Sequence, residues 1–258
     1  MICLFADIDN TLIFSHRHNY EPEKVIVEYL NGKEQSYIKK DLFDYLRTSN
    51  FYKVIPVTSR SESQSRRLFK FLDSLGVENI LACNGGVLLT NGKRNADWEK
   101  ETLDFCHIEC EEVERILKFV EINLFYGKLN CDERFMFYFS TSNVIEQFEK
   151  IKSIADDSKV FIGKDNRKVY VIAKSINKGT SVERYCKNYN IKNYIVAGDS
   201  EFDISMMKNA DYVIADGSLK KCIYNDKIYF SRTNQLAMDL DEILMDIQKE
   251  IEKNERRC

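Results

Sequence analysis

The sequence predicts an α/β protein: a Rossmann-like parallel-sheet core with helices on both faces, plus an inserted α+β cap domain. Three observations carry this. Over residues 1–88, short apolar runs alternate with stretches of helical spacing, the rhythm of a parallel sheet covered by helices. Over 89–174 that rhythm gives way to a long helical region and to strand-like runs around Asp165-Asn166, set so close that they must pair antiparallel. From 175 to 258 the parallel rhythm resumes. The expected layout is a core of 1–88 and 175–258 with 89–174 inserted, and 258 residues suffice for both.

Residues 1–6 are an apolar run, as a strand buried on both faces is, and lead into the acids that begin at Asp7. Alternating runs at 25–30 and 33–38 flank Asn31-Gly32, a hairpin signal. A helix is expected over 39–49, a strand over 52–57, and a helix over 61–75 with Leu68, Phe69, Leu72 and Leu75 on one face and Gly76 at its C-terminal cap. Residues 80–83 read as a strand, and Asn91-Gly92 as a second turn. Within the insertion, the expected elements are a helix over 99–125, a strand over 134–140, a helix over 143–155, and strands over 159–162 and 167–173. Helices over 177–189, 201–209 and 235–253 and strands over 194–197 and 212–215 complete the core.

Composition narrows the function. Hydrophobic residues are 44% and charged residues 31%, the balance of a globular protein. A formal net charge of -3 gives no general attraction to nucleic acid or anionic membrane. No apolar run approaches the ~18 residues of a membrane span, and Met1 leads straight into a strand-like run rather than a basic leader. The eight cysteines are scattered, several inside apolar runs, and read as free thiols of a reduced, cytoplasmic protein. Cys106, His107 and Cys110 share one helical segment with no second cluster, too few ligands for zinc.

Four short segments carry chemistry, each at a strand end or helix start. In Asp7-Ile8-Asp9-Asn10-Thr11 two carboxylates leave a buried strand, where open α/β sheets bind ligands. One carboxylate can attack phosphorus; the other can protonate a leaving oxygen and then activate water. Gly198-Asp199-Ser200-Glu201-Phe202-Asp203 follows a second apolar strand and offers oxygen ligands to a hard cation such as magnesium, although Asp199 or Ser200 also suits helix capping. Thr58-Ser59-Arg60 can hold phosphate oxygens while capping the next helix. Lys178 opens a helix and taken alone reads as a solvated lysine. His16-Arg17-His18 follows the first segment as an exposed loop, and the aromatic run 135–139 reads as sheet packing.

Taken in order, the acid pair, threonine, lysine and acid cluster resemble the four motifs of the haloacid dehalogenase superfamily. Asp7, Asp9 and Thr11 match its Asp-x-Asp-x-Thr signature, Thr58 the second-motif hydroxyl, Lys178 the third-motif lysine, and Asp199 and Asp203 the fourth-motif acids. The insertion falls between the second and third motifs, as in the subclass with an α+β cap (sucrose-phosphate phosphatase and Cof-like phosphatases). Asn84-Gly85-Gly86 is similar to the segment many members carry just before that cap. The resemblance implies a phosphatase, a Mg2+-dependent phosphomonoester hydrolase working through an aspartyl-phosphate on a small phosphorylated metabolite, a sugar phosphate above all. A phosphomutase of the same fold and a weakly active binding member are its alternatives. It implies Asp7, Asp9, Thr58 and Lys178 as catalytic residues, Thr11, Ser59, Arg60 and Asn84 as substrate-binding, and Asp7, Asp9, Asp199 and Asp203 around the metal. The implied partner is a small-molecule phosphate ester, with no nucleic acid and no membrane, for a monomer or homodimer. Two positions depart from the pattern: Asn10 replaces a glycine, and Phe202 stands where asparagine is common.

Overall fold

The computed structural model describes residues 1–18, 23–123, 126–233 and 235–256, with the Asp132 side chain left aside. Five parallel strands form the central sheet, in the order Ile228–Phe230, Tyr212–Ala215, Tyr194–Gly198, Ile2–Ala6, Tyr52–Pro56. Ile2–Ala6 lies inside the sheet, with Cys3 in register with both Tyr194 and Lys53. Its residues alternate faces. Leu4 and Ala6 pack with Leu42, Leu46, Leu240, Leu244 and Ile247 of helices Lys40–Thr48 and Leu236–Glu255. Phe5 faces the other way, toward Val182, Tyr185, Met206 and Met207 of helices Lys178–Asn188 and Ile204–Met207. Burial on both sides is why the strand reads as an unbroken apolar run.

Most expected elements form, within a few residues. The Lys24–Leu30 and Lys33–Lys39 strands pair antiparallel around Asn31 (φ 52°) and Gly32 (φ 74°), the turn that Asn-Gly favours. The helix expected over 61–75 is instead two, Glu62–Arg67 and Phe69–Ser74. Leu68 donates its N–H to Ser65 in a tightened turn at φ -88°, ψ -6°, while its side chain stays buried. Phe125, the end of the long helix expected over 99–125, lies outside the described residues; the helix itself runs Ala96–Asn123. Asn79–Ala82 touches the parallel sheet through one bridge, Val57 with Leu81, and otherwise pairs antiparallel with Val87–Thr90. Residue 89 therefore sits in a hairpin attached to the core sheet.

A separate antiparallel sheet of four strands has the order Val160–Asp165, Lys168–Ala173, Met136–Ser140, Leu129–Glu133. Val169, Val171, Phe137 and Phe139 lie on one face, in a cluster with Val113, Ile116 and Val120 of the long helix and Ile151 of helix Val144–Lys152. The opposite face presents Tyr138, Lys168 and Tyr170 to a cleft. Strand Leu129–Glu133 is absent from the sequence expectation: Leu-Asn-Cys-Asp-Glu is mostly polar and forms the sheet's edge. Among the described residues no helix is long and apolar enough to cross a membrane.

Candidate active site

The carboxyl ends of three adjacent parallel strands build the site. Asp7 leaves strand Ile2–Ala6 with its N–H on Ala197 O at 2.9 Å. The chain then doubles back, Asn10 at φ 61° donating to Ile13 O at 2.8 Å. Asparagine tolerates this left-handed conformation, so the missing glycine leaves the turn intact. Strand Tyr194–Gly198 delivers Asp199 and Asp203. A Cβ on Gly198 would stand 2.4 Å from Asp203 Cβ, so only glycine lets the loop fold this tightly.

Lys178 joins these acids. It is 1% exposed, at the start of helix Lys178–Asn188, where Asn177 and Thr180 form a capping box. Its ammonium donates to Asp7 Oδ1 at 2.6 Å and Asp203 Oδ1 at 2.5 Å. The solvated reading of Lys178 is therefore wrong. Burial opposes its charge, but Asp203 and Asp7 outweigh burial and hold its pKa above the usual lysine range. Burial pushes the Asp7 carboxyl up, against the pull of Lys178, and crowding by Asp203, Asp199 and Asp9 adds to the rise. Burial and Asp203 push Asp199 up to about 7.

Asp203 is fully buried, and its Oδ2 accepts from the N–H of Asp199 at 3.0 Å, the N–H of Ser200 at 2.9 Å and Ser200 Oγ at 3.0 Å. With Lys178 on Oδ1, both its oxygens are engaged. Carboxylate oxygens of Asp7, Asp199 and Asp203 lie within 4.8 Å of one another, donors that suit a hard divalent cation such as magnesium. Crowded carboxylates with raised pKa values are what a cation would relieve. Asp7 and Asp199 are the two with oxygen to give; Asp203 holds the loop and Lys178. The Asp9 carboxylate stands apart from this group.

Arg60 takes Asp9 instead, its Nε donating to Oδ2 at 2.8 Å and Nη2 to Oδ1 at 2.7 Å. Burial raises the Asp9 pKa, but these bonds and the Arg60 charge prevail and hold it below the usual range. Arg60 Nη1 also donates to Glu28 Oε2 at 2.9 Å, and Arg67 Nε to Glu28 Oε1 at 2.7 Å. Glu28, 3% exposed on strand Lys24–Leu30, escaped the sequence reading. In an alternating hairpin strand it looks like a surface acid.

The remaining expected residues divide. Ser59 lines the cleft. Thr58 is buried and its Oγ1 accepts the Arg60 N–H at 3.1 Å. Thr11 is buried and donates to Asp199 Oδ1 at 3.0 Å, so it places an acid. Asn84 is buried at φ 58°, with its side-chain amide on Ile176 O at 3.2 Å. His16 and His18 line the cleft mouth, His16 Nδ1 facing Gln35 O at 3.0 Å. Cys106 and Cys110 lie buried with Sγ atoms 3.5 Å apart, while His107 is exposed. The cleft, about 1860 Å³, lies between the acids and the open face of the antiparallel sheet.

A sequence model of the haloacid dehalogenase-like hydrolases matches residues 130–225. The chain is similar in fold to a sucrose-phosphatase from Synechocystis sp. PCC6803 solved with sucrose and phosphate, at 15% identity and TM-score 0.61, covering 95% of this chain and 97% of that one. It is similar also to SMU.1108c from Streptococcus mutans UA159, at 14% identity and TM-score 0.59, covering 94% and 98%. A subclass IIB sugar phosphatase, BT4131, matches at 15% identity and TM-score 0.56, covering 94% and 99%. Among curated proteins none matches by sequence. The resemblance read from the four motifs is borne out.

Proposed function

We propose that the chain is a magnesium-dependent phosphomonoester hydrolase acting on a small phosphorylated metabolite, a sugar phosphate first among the classes. The observation that supports this most is the buried assembly of Asp7, Lys178 and Asp203 beside Asp199 at the carboxyl ends of the central strands. The phosphatase descriptions of two fold neighbours agree with it.

Asp7 is the nucleophile: one carboxylate oxygen attacks phosphorus in line, forming an aspartyl-phosphate as the leaving oxygen departs. Lys178 keeps the Asp7 carboxylate aimed and sets a fixed positive charge beside the transferring group. Asp9 protonates the leaving oxygen, then takes a proton from the water that hydrolyses the intermediate. To act as acid it must leave the Arg60 pair and take up a proton, so substrate arrival has to displace Arg60 from one face of Asp9. Magnesium, held by Asp7 and Asp199, would supply charge against the phosphoryl oxygens. Thr11 keeps Asp199 turned toward that place. We place a substrate-selecting lid at residues 96–173, after the hairpin that stays with the core; its open face, with Tyr138, Lys168 and Tyr170, is where the leaving group would rest.

The test is release of inorganic phosphate from an aryl phosphate and from a panel of phosphorylated metabolites, with and without magnesium. Turnover that requires magnesium and is lost in Asp7→Asn supports the reading. Wild-type protein with no phosphate release from any member of the panel would sink it.

A further inference from the structure

Between the acids Asp199 and Asp203 stands Phe202, and its ring leaves the core to meet the antiparallel sheet. It packs edge-on against Phe161, with centroids 5.4 Å apart at 80°, and against Tyr170, at 5.4 Å and 68°. Both rings belong to strands of that sheet, Val160–Asp165 and Lys168–Ala173. Between them lies Gly163, directly across from Tyr170. A Cβ built on Gly163 would fall 2.5 Å from Phe202 Cζ, 3.0 Å from Phe202 Cε1 and 2.7 Å from Phe161 Cε1. Glycine inside a strand is unfavourable unless something must come close to the backbone. Here the close object is Phe202, seated in the notch that the missing side chain leaves.

The aromatic row continues from there. Tyr170 lies 5.2 Å from Tyr138, whose hydroxyl donates to Gln64 Oε1 at 3.2 Å on the core helix Glu62–Arg67. The sheet thus meets the core at Phe202 and at Tyr138, besides the pairing of Glu133 on its edge strand with Arg94 of the core hairpin, and the Phe202 mooring is built into the loop that presents Asp199 and Asp203. An asparagine at 202, common in the family, offers no ring to fill the notch.

We infer that Phe202 is a positioning residue for the reaction: seated at Gly163, it holds the sheet over the acids and ties the placement of the Asp199–Asp203 loop to that closed position. This rests on the lid assigned above. Opening draws the ring out of the notch and pulls on its neighbour Asp203, which holds both Lys178 and the N–H groups of Asp199 and Ser200. The closed lid and the ordered acids are then one state.

Cys131 on the sheet and Cys222 on the core are both exposed and accept spin labels, in a C3S/C258S background that removes competing thiols. The experiment measures the distance distribution between them by double electron–electron resonance without substrate, in the unsubstituted protein and in F202A, F202Y and G163A. Two edge-on ring pairs of ordinary strength make the open population rise about tenfold in F202A. G163A fills the notch from the other side and gives the same shift with Phe202 present, so it decides the matter even if F202A folds poorly. F202Y, which adds a hydroxyl to the Cζ that already approaches Gly163, crowds the notch and shifts the distribution in the same direction. In activity assays F202A raises KM for metabolites more than for an aryl phosphate. Unchanged distances in both F202A and G163A would overturn the inference. Because distance is read without turnover, absence of phosphatase activity would count against the proposed function and leave this result standing.

Discussion

Replacing Lys178 by methionine keeps the length of the side chain and removes its ammonium from between two carboxylates. In the folded protein that ammonium makes hydrogen bonds of 2.6 Å and 2.5 Å to Asp7 and Asp203, with Lys178 and Asp203 out of contact with solvent and Asp7 nearly so. Removing one partner of a buried ion pair typically costs about 3–5 kcal/mol, because the remaining charge is buried without compensation. Here two carboxylates are left, so the upper part of that range is expected at pH 7.5, equivalent to a fall in Tm of roughly 10–20 °C at about 2–4 °C per kcal/mol. The cost should depend on pH with a definite sign. Without Lys178 the folded-state pKa of Asp7, already raised by burial, rises further above its unfolded value, so the folded state binds more protons and is stabilised as pH falls. The gap between variant and parent should therefore narrow from pH 7.5 to pH 5.5. Urea denaturation followed by circular dichroism in excess chelator, which removes compensation by a bound cation, measures both. A loss below about 1 kcal/mol, or a gap that widens on acidification, would refute the reasoning.

Four further outcomes are expected. Asp7→Asn should abolish phosphate release yet remain folded, since it replaces a crowded buried carboxylate with a neutral isostere; thermal melts beside activity assays decide it. Asp9→Asn should slow turnover about 10²–10⁴-fold, and single-turnover assays should show sugar phosphates losing more than an aryl phosphate, which needs less help from an acid. Apparent magnesium affinity should rise with pH through about 7, because Asp199, held near that value, must release its proton to bind the cation, and should level off above it; calorimetric titration across pH 6–8.5 tests this, and Asp199→Ala should remove the step. Replacing residues 96–173 with a Gly/Ser linker should leave some turnover of an aryl phosphate while erasing preference among metabolites, and a metabolite panel assayed with the folded core checks it.

The parts of the fold legible in the sequence were those whose signal is local. Residues 2–6 announce a doubly buried strand because every side chain meets an apolar partner, and Asn31-Gly32 announces its turn because both residues must take positive φ. Strand Leu129–Glu133 was hidden because its polar composition says nothing of the edge it occupies. The break at Leu68 was hidden too, since a buried leucine keeps helical periodicity on both sides of a tightened turn. At the site, Asp7, Asp9, Asp199 and Asp203 were expected around one cation with Lys178 among the catalytic residues; Asp7, Asp199, Asp203 and Lys178 come together, whereas Asp9 is held apart by Arg60. The partners that set their behaviour were not visible. Arg60 meets Asp9 across 51 positions of sequence, and Glu28 meets Arg60 and Arg67 across 32 and 39. No spacing rule reaches so far, and only the tertiary structure turns an apparent phosphate-binding arginine into one that grips an aspartate.

The hydrogen bond from the Asn84 amide to Ile176 O has an evolutionary consequence. It closes a span of 92 residues, holding the outgoing and returning chain side by side. Between two such neighbouring points a segment can be lengthened, shortened or exchanged with little effect on the sheet beneath, because closure entropy grows only with the logarithm of loop length. Doubling the span would cost about 0.6 kcal/mol. On the lid proposed above, a scaffold tied off in this way leaves what lies over its acids free to diverge, so that a change of leaving group would need one interval of the gene rewritten while the sheet beneath stays as it is.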